Sequence, residues 1–223
     1  MKKLITSLLA FAGLANAAPP QQGIQSLDPK SILFTTPTLS NDIAPLEPVT
    51  QNPSKADLIF HEDEWSQVEF FHKGRLAEIQ RLLEEFKSFE QANRAKVGWR
   101  KVYVRKITRE PVISGLGAIQ QLEQLLGVKA STPPILFSSG ELAGRVKNGF
   151  SFPLGGNVTL YGFSDDRGIP VLGANVGEHP DDLKLTKAFM KLNANKGLIL
   201  VDWRTQLVLE SVDKSGKIKV WRP

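Results

Sequence analysis

Phe150-Ser151-Phe152-Pro153-Leu154-Gly155-Gly156-Asn157-Val158-Thr159-Leu160 reads as two strands and the turn between them. Phe150, Phe152 and Leu154 alternate along one arm, Gly155-Gly156-Asn157 turns the chain, and Val158, Leu160 and Phe163 lead back along the other. Strand side chains repeat every two residues, so alternation on both sides of a glycine-rich turn predicts an antiparallel hairpin. Toward the C-terminus a further strand is expected over residues 169–176. Pro180-Asp181-Asp182 then opens a short helix, acidic where the helix dipole favours it, with Leu185, Phe189 and Leu192 on one face and an end before Gly197. Leu198-Ile199-Leu200-Val201 is continuously apolar, as in a strand covered on both faces. Residues 207–212 and 217–221 complete a meander through the turn Asp213-Lys214-Ser215-Gly216.

Upstream of Gly140 the period lengthens. Leu76, Ile79, Leu82, Leu83, Phe86 and Phe89 recur every three or four residues over 75–95, with Glu78, Arg81, Glu84, Lys87 and Glu90 between them, which predicts an amphipathic helix ending before Gly98. Residues 58–60 suit a short buried strand, and residues 99–107 carry the β-branched, aromatic and charged mixture of another. A second helix is expected from a Ser114 cap to Gly127, with Leu116, Ile119, Leu122, Leu125 and Leu126 as its stripe. Pro133-Pro134 and the triplet Ile135-Leu136-Phe137 follow. The fold class is therefore α+β, with a mixed α/β first half over 57–140 and an antiparallel β-meander over 141–223, the two forming one continuous globular domain.

Two segments precede that body. Residues 1–17 combine Lys2-Lys3, an apolar run of eleven residues and Ala15-Asn16-Ala17, the pattern of a secretory signal peptide cleaved after Ala17. Eleven apolar residues fall short of the roughly 20 that span a bilayer, so no membrane anchor is expected. The expected compartment is the Gram-negative periplasm, with secretion to the medium as the alternative. Residues 18–56 hold seven of the fourteen prolines and form a Pro-rich tether or arm. Either it is extended and irregular, or it wraps the core as an ordered arm.

The chain has 223 residues and no cysteine, which excludes disulfides, thiol catalysis and Cys-ligated metal. Removing Lys2 and Lys3 leaves 26 basic residues against 23 acidic, so the mature charge is only +3 and nucleic acid is not a favoured partner. Charge is uneven locally. Residues 56–71 carry five acids and no base, whereas residues 72–109 carry eleven bases and four acids. On an extended strand Trp99, Lys101, Tyr103, Arg105 and Arg109 would share one face, an aromatic and cationic row able to stack on sugar rings or bind polyanions. The plainer reading is a solvent-facing strand whose charges pair with the upstream acids.

His61-Glu62-Asp63-Glu64 with His72 is the densest set of groups for acid–base or metal chemistry, but four adjacent residues point in different directions, and no metal or cofactor is expected. Ser138-Ser139-Gly140 lacks the leading glycine of a nucleophile elbow, so no catalytic residue is assigned. Thr132-Pro133-Pro134-Ile135-Leu136-Phe137, followed by Gly140-Glu141, resembles the proline-led strand of thioredoxin-fold proteins; that family's redox chemistry needs a Cys-x-x-Cys pair, which this chain lacks. The expected function is a non-enzymatic binding or accessory module of the bacterial cell envelope, with an envelope protein or a cell-wall component as partner. The alternatives are a cell-wall or glycan-acting hydrolase built on residues 61–64 and His72, and a polyanion- or glycan-binding protein built on the strand around Tyr103.

Overall fold

A computed structural model describes residues 33–223; the leader and the first part of the Pro-rich segment lie outside the described residues. The fold is α+β. Its main sheet grows from the hairpin at residues 149–165: β9 (Gly149–Gly155) and β10 (Val158–Asp165) pair antiparallel, and β11 (Gly168–Val176) continues the meander. The sheet then takes in β4 (Val68–His72), β12 (Leu198–Asp202), β13 (Leu207–Val212) and β14 (Ile218–Trp221), in the order β14-β13-β12-β4-β11-β10-β9. A two-residue strand, β6 (Ile113–Ser114), pairs with the start of β11. Strands from both halves of the chain thus share one sheet, because β4 lies between β12 and β11.

Each face of this sheet has its own cover. The run 198–201 alternates sides: Leu198 and Leu200 pack with α2 (Ala118–Leu126) and α3 (Asp182–Lys196), whereas Ile199 and Val201 pack with α1 (Leu76–Asn93). Two covered faces explain why that strand needs no polar alternation. Beyond α1, the second face is covered by a four-stranded sheet of order β2-β8-β7-β3, made of β2 (Leu46–Glu47), β3 (Ile59–His61), β7 (Ile135–Ser138) and β8 (Glu141–Val146). Phe60, Trp65, Leu136, Tyr161 and Val171 fill the space between it and the main sheet. The likeness to the thioredoxin-type strand extends to β7 following a helix; β7 lies in this small sheet, parallel to β3 and antiparallel to β8.

Several local expectations change. Residues 99–107 yield only β5 (Tyr103–Arg105), which pairs in parallel with β1 (Thr38–Ser40) of the Pro-rich segment. Thr38, Leu39 and Ser40 lie between Pro37 and Pro45, so their backbone N–H groups are free to join a ladder and the segment can add a strand there. From residue 33 onward the segment is therefore an ordered arm, fixed again at β2 against β8. Ser114 caps no helix: it pairs with Gly168, and Gly117, with φ at +77°, starts α2. Residues 68–72 and 141–146 are strands beyond those expected from the sequence. Asp181 caps α3 by accepting the Leu183 N–H, and Gly197 closes it in the left-handed conformation.

Candidate functional site

Between α1 and the small sheet, where β1, β4 and β5 meet, the second face of the main sheet carries buried charge in place of apolar packing. Glu69 shares its side of β4 with Phe71 and is 1% exposed. Its carboxylate accepts from Arg109 Nη1 at 2.6 Å and from Trp203 Nε1 at 3.2 Å. Arg109 also grips the arm, donating from Nη2 to Asp42 Oδ1 at 2.9 Å and from Nε to Asp42 Oδ2. Arg105 is fully buried; Nη1 donates to Thr38 Oγ1 and Nη2 to the Ser66 carbonyl, both at 3.0 Å, and the guanidinium lies 4.9 Å from the Trp203 ring centroid. Ser66 is held at a φ of +57°, unusual for a non-glycine residue, with the Tyr161 hydroxyl accepting its N–H at 2.9 Å.

Desolvation pulls the Arg105 guanidinium down to about 10, against the opposing pull of Glu69, and it remains cationic at neutral pH. Desolvation acts the same way on Arg109, but the Glu69 charge and the Asp42 hydrogen bond outweigh it and its pKa is raised. Burial would raise Asp42; the Arg109 contact and charge and the Ser40 hydroxyl outweigh that and hold it below the usual carboxylate range. Arg109 bridges both carboxylates, while Arg105 pairs with neither and keeps a buried Nε that has no hydrogen-bond partner among the described residues. Buried ion pairs of this kind define a geometry more than they add stability, and the geometry defined here is the seat of the arm.

Because the arm is seated, clefts open along it. One, of about 220 Å³, is lined by Leu39, Ser40, Asp42, Glu62, Asp63 and Trp65 among others. The larger, about 540 Å³, runs between Thr35, Thr36 and Pro37 of the arm, His61, Asp63 and Glu64 of a 3-10 turn, Trp99, and Arg204. Trp99 is anchored from two directions: its backbone exchanges hydrogen bonds with Phe34 at 2.8 and 3.0 Å, and Nε1 donates to Glu90 Oε1 at 3.3 Å. The close approach needs Gly98, whose φ is +74° and where a Cβ would stand 2.4 Å from the Phe34 carbonyl oxygen. Arg204 Nη1 pairs with Glu64 Oε2 at 2.8 Å, and His61 Nδ1 accepts the Asp63 N–H at 3.1 Å to cap the turn.

The five residues expected to share one face are therefore distributed over four environments. Trp99 lines the groove and Lys101 is exposed. Tyr103 packs against Phe86 and Phe89 of α1, each with ring centroids 5.3 Å away. Arg105 and Arg109 belong to the buried network, and Val104, on the opposite face, is the exposed residue. Tyr103 and Arg105 do share a face, but that face turns inward. His61 and His72 are held apart: residues 61–64 precede the Val68 end of β4, whereas His72 ends that strand opposite Leu198 and accepts the Gly74 N–H. About 13 Å of strand separates the two ends. Among the described residues no group of three or more His, Asp or Glu is arranged to hold a metal ion, and no helix is long and apolar enough to cross a membrane. Glu69, Asp42 and Arg204 were not singled out from the sequence, since their partners lie 40 to 140 residues away.

Set against protein-family models, curated proteins and solved structures, the chain matches none of them.

Proposed function

We propose that this protein is an exported, non-catalytic binding module of the bacterial cell envelope, and that its groove beside Trp99 takes a sugar segment of cell-wall glycan. The observation that carries this reading is the groove's composition. One aromatic wall, the hydroxyls of Thr35 and Thr36, the carboxylates of Asp63 and Glu64 and the guanidinium of Arg204 surround about 540 Å³ of open space. A sugar ring offers an apolar face for stacking and hydroxyls that both donate and accept, which this mixture meets. Two carboxylates beside one arginine make the groove unsuited to a polyanion. Glu64 is tied to Arg204 and so acts as a fixed acceptor. Export rests on the lysine-led apolar opening and the small residues before Ala18.

The test is co-sedimentation of the mature chain with purified peptidoglycan sacculi. Binding is expected to persist in 0.5 M salt, because the groove is nearly neutral, and to weaken about tenfold in Trp99→Ala and in Arg204→Ala. Absence of sedimentation, or full binding by Trp99→Ala, would overturn the reading.

A further inference from the structure

A second surface lies on the other side of the main sheet, where α2 and α3 cover it. Lys184, Lys187 and Lys191 recur at three- and four-residue spacing on α3, so they form one row along the helix. All three are exposed. They border a trough of about 210 Å³ whose floor is Leu126, Val128, Leu154 and Ala188. Lys191 Nζ donates to the Leu126 carbonyl at 3.1 Å, which fixes one end of the row over the end of α2. Lys184 and Lys187 make no ion pair among the described residues. Lys129, beside Val128, adds a fourth ammonium that is 88% exposed although it touches Glu123. The nearest acids on α3 are at its start, where Asp181 is committed to the cap.

We propose that this trough and its lysine row are a docking face for the surface of an anionic phospholipid bilayer. A row of ammoniums around an apolar floor matches a headgroup layer whose phosphates lie above acyl chains. Lysine stems lie along apolar surface while their charges reach the phosphates, so both halves of the contact are satisfied together. Charge complementarity singles out this occupant: an apolar protein partner would leave the ammoniums unpaired, and a soluble phosphate would leave the floor uncovered. Each lysine near such a surface strengthens binding about fivefold, so three give on the order of a hundredfold preference for anionic over neutral membranes. The groove beside Trp99 is on the α1 side of the sheet, so docking here leaves it open.

The experiment is co-sedimentation of the mature chain with vesicles of phosphatidylglycerol and phosphatidylcholine, against vesicles of phosphatidylcholine alone. Binding is expected to the anionic vesicles only, to fall by an order of magnitude or more between 50 and 300 mM salt, and to drop about twentyfold in Lys184→Gln with Lys187→Gln. These exposed helical positions tolerate glutamine, and far-ultraviolet circular dichroism checks that the fold is retained. Trp99→Ala should bind vesicles like the unaltered chain. Equal binding to neutral vesicles, undiminished binding by the double variant, or displacement by millimolar inorganic phosphate would each overturn the proposal, as would no vesicle binding.

Discussion

Glu69 and Arg105 are both buried and charged, yet their removal has different consequences. Glu69 is the shared counter-charge of the network: Arg109 pairs with it directly and Arg105 is held cationic in its field. Glu69→Ala leaves Arg105 without its nearest counter-charge in a low-dielectric interior and Arg109 with Asp42 alone, and the expected loss is about 3–5 kcal/mol in urea unfolding. Arg105→Met removes a desolvated charge and keeps most of its volume against Trp203, while Glu69 retains Arg109. Its cost should be clearly smaller than that of Glu69→Ala, and the reverse order would contradict this account of the network. The shared face of Tyr103 and Arg105 was legible in the period of the strand. The inward turn of that face was not, because charge in a sequence marks the solvent side only when no distant carboxylate or aromatic ring waits to receive it.

At the scale of elements, the arm is the part whose placement carries function, since the Trp99 groove is walled by it. β1 gives three residues to a parallel pairing with β5, too few to be stable alone, so its attachment depends on Asp42 with Arg109 and on the Phe34–Trp99 bridge. Asp42→Asn weakens the first attachment and Gly98→Ala crowds the second. Hydrogen exchange at residues 38–41 should quicken about tenfold or more in Asp42→Asn while the amides of α1 keep their protection. Equal loss of protection in both places would mean that the arm and the core open as one unit. Neither attachment is periodic in sequence, which explains why proline content alone left tether and ordered arm both open. β4 is hidden in the sequence for a related reason: Val-Glu-Phe-Phe-His carries no clean alternation, because both of its faces are covered and one meets the ionic network.

For the whole molecule, acid is the condition that separates arm from core. Asp42 is held below its ordinary value of 3.8, and Asp57 is held at about 2, first by the Ser54 N–H and also by Arg145 of β8. A carboxylate with a depressed folded pKa adds stability above its unfolded value, and that contribution fades as pH falls through the folded value. Both contacts are therefore intact at neutral pH; the Asp57 contact is lost as pH falls from about 4 to about 2, and the Asp42 contact is lost below its ordinary value of 3.8. Tryptophan fluorescence from Trp99 should change in that window, and Asp57→Asn should move the acid transition of the small sheet to higher pH. A fluorescence profile flat down to pH 2 would show that these carboxylates do not hold the arm.

Alternating and helical periods, with glycine at turns and helix ends, were enough to establish an α+β chain, the three α-helices among the described residues, the strands within residues 149–176 and the doubly covered run at residues 198–201. Those features are local: each depends on residues within a few positions of one another. The insertion of β4 between the two halves, the seating of the arm, the burial of Arg105 and Arg109 and the groove beside Trp99 were decided only by tertiary structure. Each of them joins groups that are 40 or more residues apart, and neither their distance nor the desolvation that makes their pairing matter is written in any short stretch of sequence.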